Sequence, residues 1–178
     1  MRPKYEEVVV QRSKLGTELL QRSIGNVFHV TSREGLAGIE ATGAILANED
    51  GSLGDTFPQS KRSYFRSQGC VCLFDLRHVS EEELKNALDK YYFLNPHHVH
   101  DNPVFLILRE QFFSQLRPWS EAKRGVEMVI PHVECGFTKE VSLDMIQEVL
   151  IVRIEGPHGY TGWLKMVAAA EREREEPV

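Results

Sequence analysis

The stretch VFHVTSREGLAGIEATGAI, residues 27–45, does most to decide the fold. Its first five residues are aromatic and β-branched, which predicts a strand that ends at Thr31 or Ser32. Ser32 is a typical helix N-cap, and the apolar spacing that follows it predicts a short helix. Gly43 stands where a left-handed residue ends a helix. The strand should place His29 and Thr31 on one face of the sheet, at its rim.

The remaining sequence predicts further elements around this unit. We predict strands at residues 70–76, 104–108, 126–130 and 148–154, with helices at 13–22 and after a capping box formed by Ser80 and Glu83. The last strands follow one another after short turns, one of them around Gly136. We therefore expect an α+β sheet sandwich rather than a doubly wound parallel sheet.

The composition is that of a folded chain of one domain. A chain of 178 residues with 42% hydrophobic and 26% charged residues has enough apolar surface for one full core. We expect that core over about residues 24–156, a covering helix over 13–22 and a charged tail over 165–178. No window approaches the roughly 18–20 apolar residues of a membrane span, and the N-terminus lacks the apolar core of a signal peptide. The expected location is therefore cytoplasmic, without membrane contact.

Charge, cysteines and motifs exclude several functional classes. The net charge of −5 argues against a broad nucleic-acid-binding surface, although a local basic stretch can still act. The three cysteines cannot form a complete disulfide framework and fit a reducing compartment. Nothing matches a dinucleotide-binding glycine loop, a P-loop, HExxH, GxSxG or paired CxxC motifs.

Two features suit a nucleotide. His29 at the strand end can donate and accept hydrogen bonds, which suits a ribose or an amide; alternatively it satisfies a local carbonyl. Residues 61–67, KRSYFRS, combine cations that bind phosphate with aromatic rings that stack on flat bases. Alternatively this segment is a solvated loop that Tyr64 and Phe65 anchor to the core.

Two further features could carry chemistry. Glu127 is a carboxylate at the start of an apolar strand and must face water or a site, because an unpaired buried carboxylate is strongly unfavourable. It could equally be an exposed edge residue. Histidine and thiolate side chains also suggest zinc, yet none of them has the compact spacing of a structural site, so we expect no metal. The residues concerned are His97, His98, His100, His132, Cys70, Cys72 and Cys135.

The order of these motifs resembles the ADP-ribosyltransferase superfamily of the His-Tyr-Glu type. Residues 27–45 resemble the opening of the DarT-type DNA ADP-ribosyltransferases and of the RNA 2'-phosphotransferases. Residues 126–152, VEMVIPHVECGFTKEVSLDMIQEVLIV, are similar to the DarT-type ending. The resemblance spans about residues 27–154 and implies an ADP-ribosyltransferase-like split β-sandwich with flanking short helices.

The resemblance implies NAD as cosubstrate and a role for each matching residue. Glu127 would stabilise the positive charge that develops at the nicotinamide ribose, and Arg66 would help to orient the reacting centre. Of the cofactor-binding residues, His29 would hydrogen-bond the ribose, with the backbone beside it holding the nicotinamide amide, and Thr31 would support that strand end. Tyr64 or Phe65 would stack on nicotinamide, and Arg62 or Arg66 would meet the diphosphate.

The resemblance also implies partners and leaves alternatives. The acceptor would be a nucleic acid or a protein, and a toxin-like or defence enzyme would have an antitoxin or immunity partner. One alternative is an NAD-dependent RNA 2'-phosphotransferase, a family that depends on more arginines than this sequence places in the site. Another is an inactive nucleotide-binding module of the same fold. A third is a metal protein that uses His97, His98 and His100.

Overall fold

The structure is built around one large sheet. The computed structural model describes residues 2–54, 61–88, 102–122 and 128–156. Within these ranges the strands are β1 (Lys4–Gln11), β2 (Val27–Thr31), β3 (Ala44–Leu46), β4 (Cys70–Asp75), β5 (Val104–Leu108), β6 (Glu134–Thr138), β7 (Glu140–Ser142) and β8 (Ile146–Glu155). The α-helices are α1 (Leu15–Ser23), α2 (Arg33–Thr42), α3 (Tyr64–Ser67) and α4 (Glu81–Leu88).

Six strands form the large sheet in the order β1-β8-β5-β2-β4-β6, and β3 pairs with β7 in a separate two-stranded sheet. β1 is parallel to β8, whereas the other ladders of the large sheet are antiparallel. This mixture of a mostly antiparallel sheet with short helices gives an α+β architecture.

The core lies on both faces of the large sheet, as the continuous apolar sequence of β5 requires. Phe105 and Ile107 face the cluster that contains Leu15 and Leu19 of α1. The alternate residues of β5 face a second cluster with α2, β3 and β7, to which Leu106 belongs. Among the described residues, no helix has the length and apolar composition needed to cross a membrane.

Local sequence signals correctly predicted both ends of α2 and the start of α4. The Ser32 side chain accepts a hydrogen bond from Gly35 N at 3.0 Å, and α2 ends at Gly43 with φ of 78°. At α4, Ser80 N donates to the Glu83 carboxylate at 2.9 Å, and Glu83 N donates back to Ser80 Oγ at 3.3 Å. This reciprocal pair is the predicted capping box.

The prediction of a strand at residues 126–130 was wrong for residues 128–130, the part of that range that the structure describes. Met128 forms only an isolated parallel bridge with Ser63, and the strand of this region, β6, begins at Glu134. The predicted turn at Gly136 was also wrong, because Gly136 lies inside β6 opposite Cys72. A Cβ at Gly136 would overlap the Phe65 ring, with Cε1 at 2.9 Å, so this glycine allows an aromatic ring to pack on the strand.

Sequence analysis did not predict the first strand. β1 carries the sequence KYEEVVVQ, and its partner β8 lies more than 140 residues further along the chain. Its three consecutive valines favour a strand, and exposed positions alternate with less exposed ones from Tyr5 onward, but apolar and polar residue types do not alternate along its sequence. β3, β6 and β7 were likewise not predicted. The described chain thus has eight strands, four of which correspond to strands that the sequence predicted.

Candidate functional site

A cavity of about 530 Å³ opens beside the end of β2. Its wall consists of the end of β2, the face of α2, β3, residues 46–54 and the start of β4. The polar residues that line it include His29, Thr31, Asn48, Arg66 and Cys72. Its size lies in the range of about 300–1000 Å³ that is common for sites binding small molecules and cofactors.

His29 occupies a gap between two strands. β2 and β4 pair at Val27 and Phe28, and beyond these pairs the Cys72 carbonyl lies 2.9 Å from His29 Nδ1. A carbonyl can only accept, so Nδ1 carries the ring hydrogen. Burial lowers the pKa of His29, which favours the neutral ring. Nε2 is therefore a hydrogen-bond acceptor in a residue that lines the cavity.

Thr31 and α2 form a tightly packed part of the wall. Thr31 is buried at the end of β2, and a Cβ on Gly35 would overlap Thr31 Oγ1 and lie 3.3 Å from Thr31 Cβ. Gly38, one turn along the same helix, has no atom within 4 Å of an added Cβ. The first helical turn thus needs a glycine for its close approach to the strand, while the second does not.

Arg66 joins α3 to the segment at the cavity rim. Its Nε donates to the Asn48 carbonyl at 2.5 Å, and its NH2 group would lie 2.9 Å from a Cβ at Gly51. Asn48 in turn closes a turn by donating from its side chain to the Gly54 carbonyl at 2.5 Å and accepting from Leu53 N at 3.1 Å. This arrangement holds one cation beside the cavity, where it could meet an anionic group.

Neither of the two predicted stacking residues, Tyr64 and Phe65, is among the described residues that line the cavity. Phe65 has no exposed surface and packs on Gly136, so its ring has no free face for a ligand. Tyr64 is half-buried, and its hydroxyl donates to the Glu121 carbonyl at 3.3 Å. The two rings pack edge to face with their centroids 5.2 Å apart. The segment is thus anchored to the core, which agrees with the alternative interpretation of these aromatic residues.

The remaining predicted residues lie elsewhere. Arg62 is exposed and does not line the cavity; its carbonyl accepts from Met128 N at 2.8 Å. Glu127 lies outside the described residues, as do His97, His98 and His100 and the tail at 165–178. The described chain has no group of three or more side chains suited to a metal ion.

Sequence analysis missed the partners of the candidate residues. Cys72 supplies the carbonyl that orients His29, and Glu134 is a buried carboxylate that binds Ser63 at 2.6 Å. Glu134 stands between the buried residues Val133 and Cys135, and a carboxylate between two apolar residues is the signal that could have identified it. The role of a backbone carbonyl carries no sequence signal.

Comparison with known proteins adds little. No family model matches the chain, and no curated protein is significantly similar to it. One solved structure that is similar, protein CC0527 from Caulobacter crescentus, is 12% identical over 72% of this chain and 87% of its own, with a TM-score of 0.39. A similarity at that level supports no argument about fold or function.

Proposed function

We propose that the cavity binds NAD and that the chain is an NAD-dependent ADP-ribosyltransferase with the split β-sandwich of that superfamily. The observation that carries the proposal is His29, whose Nδ1 is held by the Cys72 carbonyl and whose Nε2 is left as an acceptor in a residue of the cavity wall. A ribose hydroxyl is a donor of suitable size and polarity for this nitrogen. Arg66 at the same cavity suits the diphosphate.

The proposed chemistry needs a carboxylate at the reacting ribose. Cleavage of the bond between ribose and nicotinamide leaves the electron pair on the departing neutral nicotinamide and develops positive charge at the anomeric carbon. A fixed carboxylate stabilises that oxocarbenium-like transition state, as in glycoside hydrolysis. Glu127 takes this role in the proposal. The anomeric carbon of the ADP-ribose then bonds to a nucleophile of a nucleic acid or protein, and the proton of that nucleophile passes to solvent.

A nucleotide-binding module without turnover is the second candidate. Among the described residues that line the cavity there is no Phe, Tyr or Trp side chain, and the one carboxylate is Glu34 in the exposed first turn of α2. Such a wall supports binding more directly than catalysis. The 2'-phosphotransferase alternative has less support, because Arg66 is the one cation among those described lining residues.

Nicotinamide release from NAD by the purified protein tests the proposal, with DNA, RNA and protein offered as acceptors. We expect release by the wild type, loss of at least about a hundredfold in Glu127→Gln, and near wild-type rates in Glu140→Gln, a control at an exposed carboxylate of β7 that does not line the cavity. Equal rates in wild type and Glu127→Gln would exclude the assigned role of Glu127. NAD binding without release would favour the binding module.

A further inference from the structure

Glu134 is a buried carboxylate with two well-defined hydrogen-bond donors. It is the first residue of β6 and is only 7% exposed. Its Oε1 accepts from the Ser63 hydroxyl at 2.6 Å, and its Oε2 accepts from Ile130 N at 2.9 Å. Among the described residues no cation forms an ion pair with it, and burial raises the pKa of Glu134. A carboxylate in such a place lowers stability unless its hydrogen bonds compensate.

The two hydrogen bonds of Glu134 join two separate segments of the chain. Ser63 lies just before α3, and Ile130 lies two residues after Met128. Met128 exchanges backbone hydrogen bonds of 2.8 and 2.9 Å with the residues on either side of Ser63. Glu134 therefore connects both segments through side-chain bonds at the place where their backbones already pair.

Ser63 also connects this pair to the cavity. Its Oγ lies 3.1 Å from Cys72 Sγ, and Cys72 both lines the cavity and orients His29. Burial raises the pKa of the Cys72 thiol to about 12, so it keeps its proton at neutral pH. Because the single hydrogen of Ser63 points to Glu134, the Cys72 thiol is the donor to Ser63 Oγ. The chain of hydrogen bonds runs from the cavity wall to the buried carboxylate.

We propose that Glu134 is a positioning residue which, through Ser63 and Ile130, fixes the two segments that carry Tyr64 and Met128 next to the candidate site. The inference rests on the proposed function only for its effect on turnover, because Met128 directly follows Glu127. The physical basis is that a single carboxylate can accept from both segments at once, whereas an apolar side chain of this size can accept from neither.

Amide hydrogen exchange tests the positioning independently of activity. In Glu134→Leu the side chain can accept neither from Ile130 N nor from Ser63, so we expect the amides of Ile130, Met128 and Tyr64 to exchange at least about tenfold faster. The amide of Val149 in β8 should keep its wild-type rate, and Glu140→Leu, at an exposed strand carboxylate, serves as the control. Unchanged protection at Met128 and Tyr64, or equal acceleration at Val149, would overturn the proposal.

A second variant and a kinetic measurement complete the test. Ser63→Ala should show the same local exchange, and Ser63→Thr, which keeps the hydroxyl, should restore protection. In nicotinamide release, both Glu134→Leu and Ser63→Ala should lower kcat by at least about tenfold while KM for NAD stays within about threefold, because neither substitution removes a side chain that lines the cavity or the Cys72 carbonyl that holds His29. An unchanged kcat together with lost protection would overturn the positioning role. A silent wild type would instead refute the proposed function and leave the exchange result to decide the inference.

Discussion

The close approach of α2 to β2 predicts opposite effects for two similar substitutions. Gly35 and Gly38 both lie in α2 and both line the cavity. Alanine in a helix interior is favoured over glycine by about 1 kcal/mol, so Gly38→Ala should stabilise the chain by up to that amount. In Gly35→Ala the new methyl group overlaps Thr31 Oγ1, and overpacking of this kind destabilises by about 1–3 kcal/mol. Because the propensity gain is common to both, the two variants should differ by about 1–3 kcal/mol.

Urea unfolding followed by circular dichroism measures this difference. In thermal unfolding the same difference should change the melting temperature by about 2–4 °C per kcal/mol for a chain of this length. Thr31→Ala removes the hydroxyl with which the new methyl overlaps, so the loss caused by Gly35→Ala should shrink by at least about 1 kcal/mol in that background. A Gly35→Ala protein as stable as Gly38→Ala would refute the described contact between helix and strand.

Three further outcomes follow from burial and packing. Burial lowers the pKa of His29 below its ordinary value of 6.5, so the folded chain binds fewer protons there than the unfolded chain. In urea titrations the free energy of unfolding of the wild type should therefore fall relative to that of His29→Gln as pH falls below about 6.5. Burial raises the pKa of Glu134, which has the opposite effect on stability. In urea titrations the free energy of unfolding of Glu134→Gln should therefore increase relative to that of the wild type as pH rises above about 4.5. Gly136→Ala should destabilise by about 1–3 kcal/mol in the same assay, because the methyl group meets the Phe65 ring, and an unaffected midpoint would contradict that packing.

Elements governed by local chemistry were predictable from the sequence. The N-cap at Ser32, the left-handed Gly43 and the capping box at Ser80 each depend on contacts within a few residues, and the structure has all three. The continuous apolar run of β5 likewise indicates burial on both faces without knowledge of its neighbours.

Elements governed by distant partners were not predictable. β1 pairs along its whole length with β8, which lies more than 140 residues further along the chain. Gly136 resembles a turn residue until the Phe65 ring that packs on it is known. A pattern in one sequence records composition along the chain, whereas these features depend on contacts between segments far apart.

The candidate site likewise has features that the sequence predicts and features that it does not. His29, Thr31 and Arg66 were predicted from residue type and position, and they share one cavity. Phe65 was predicted as a stacking residue because aromatic rings suit both ligands and cores, and its burial shows that the core takes it. The Cys72 carbonyl that orients His29 could not be foreseen, because every residue has a carbonyl and only the opened ladder between β2 and β4 makes this one available.

The most direct test of the account is the state of the His29 ring, measured by nitrogen-15 NMR of the imidazole with and without NAD. The account predicts a neutral ring at neutral pH with a protonated Nδ1 and an unprotonated Nε2, and a change in the Nε2 resonance as NAD is added. A ring protonated at Nε2, or an Nε2 resonance that NAD does not change, would contradict the assignment of this cavity as an NAD site.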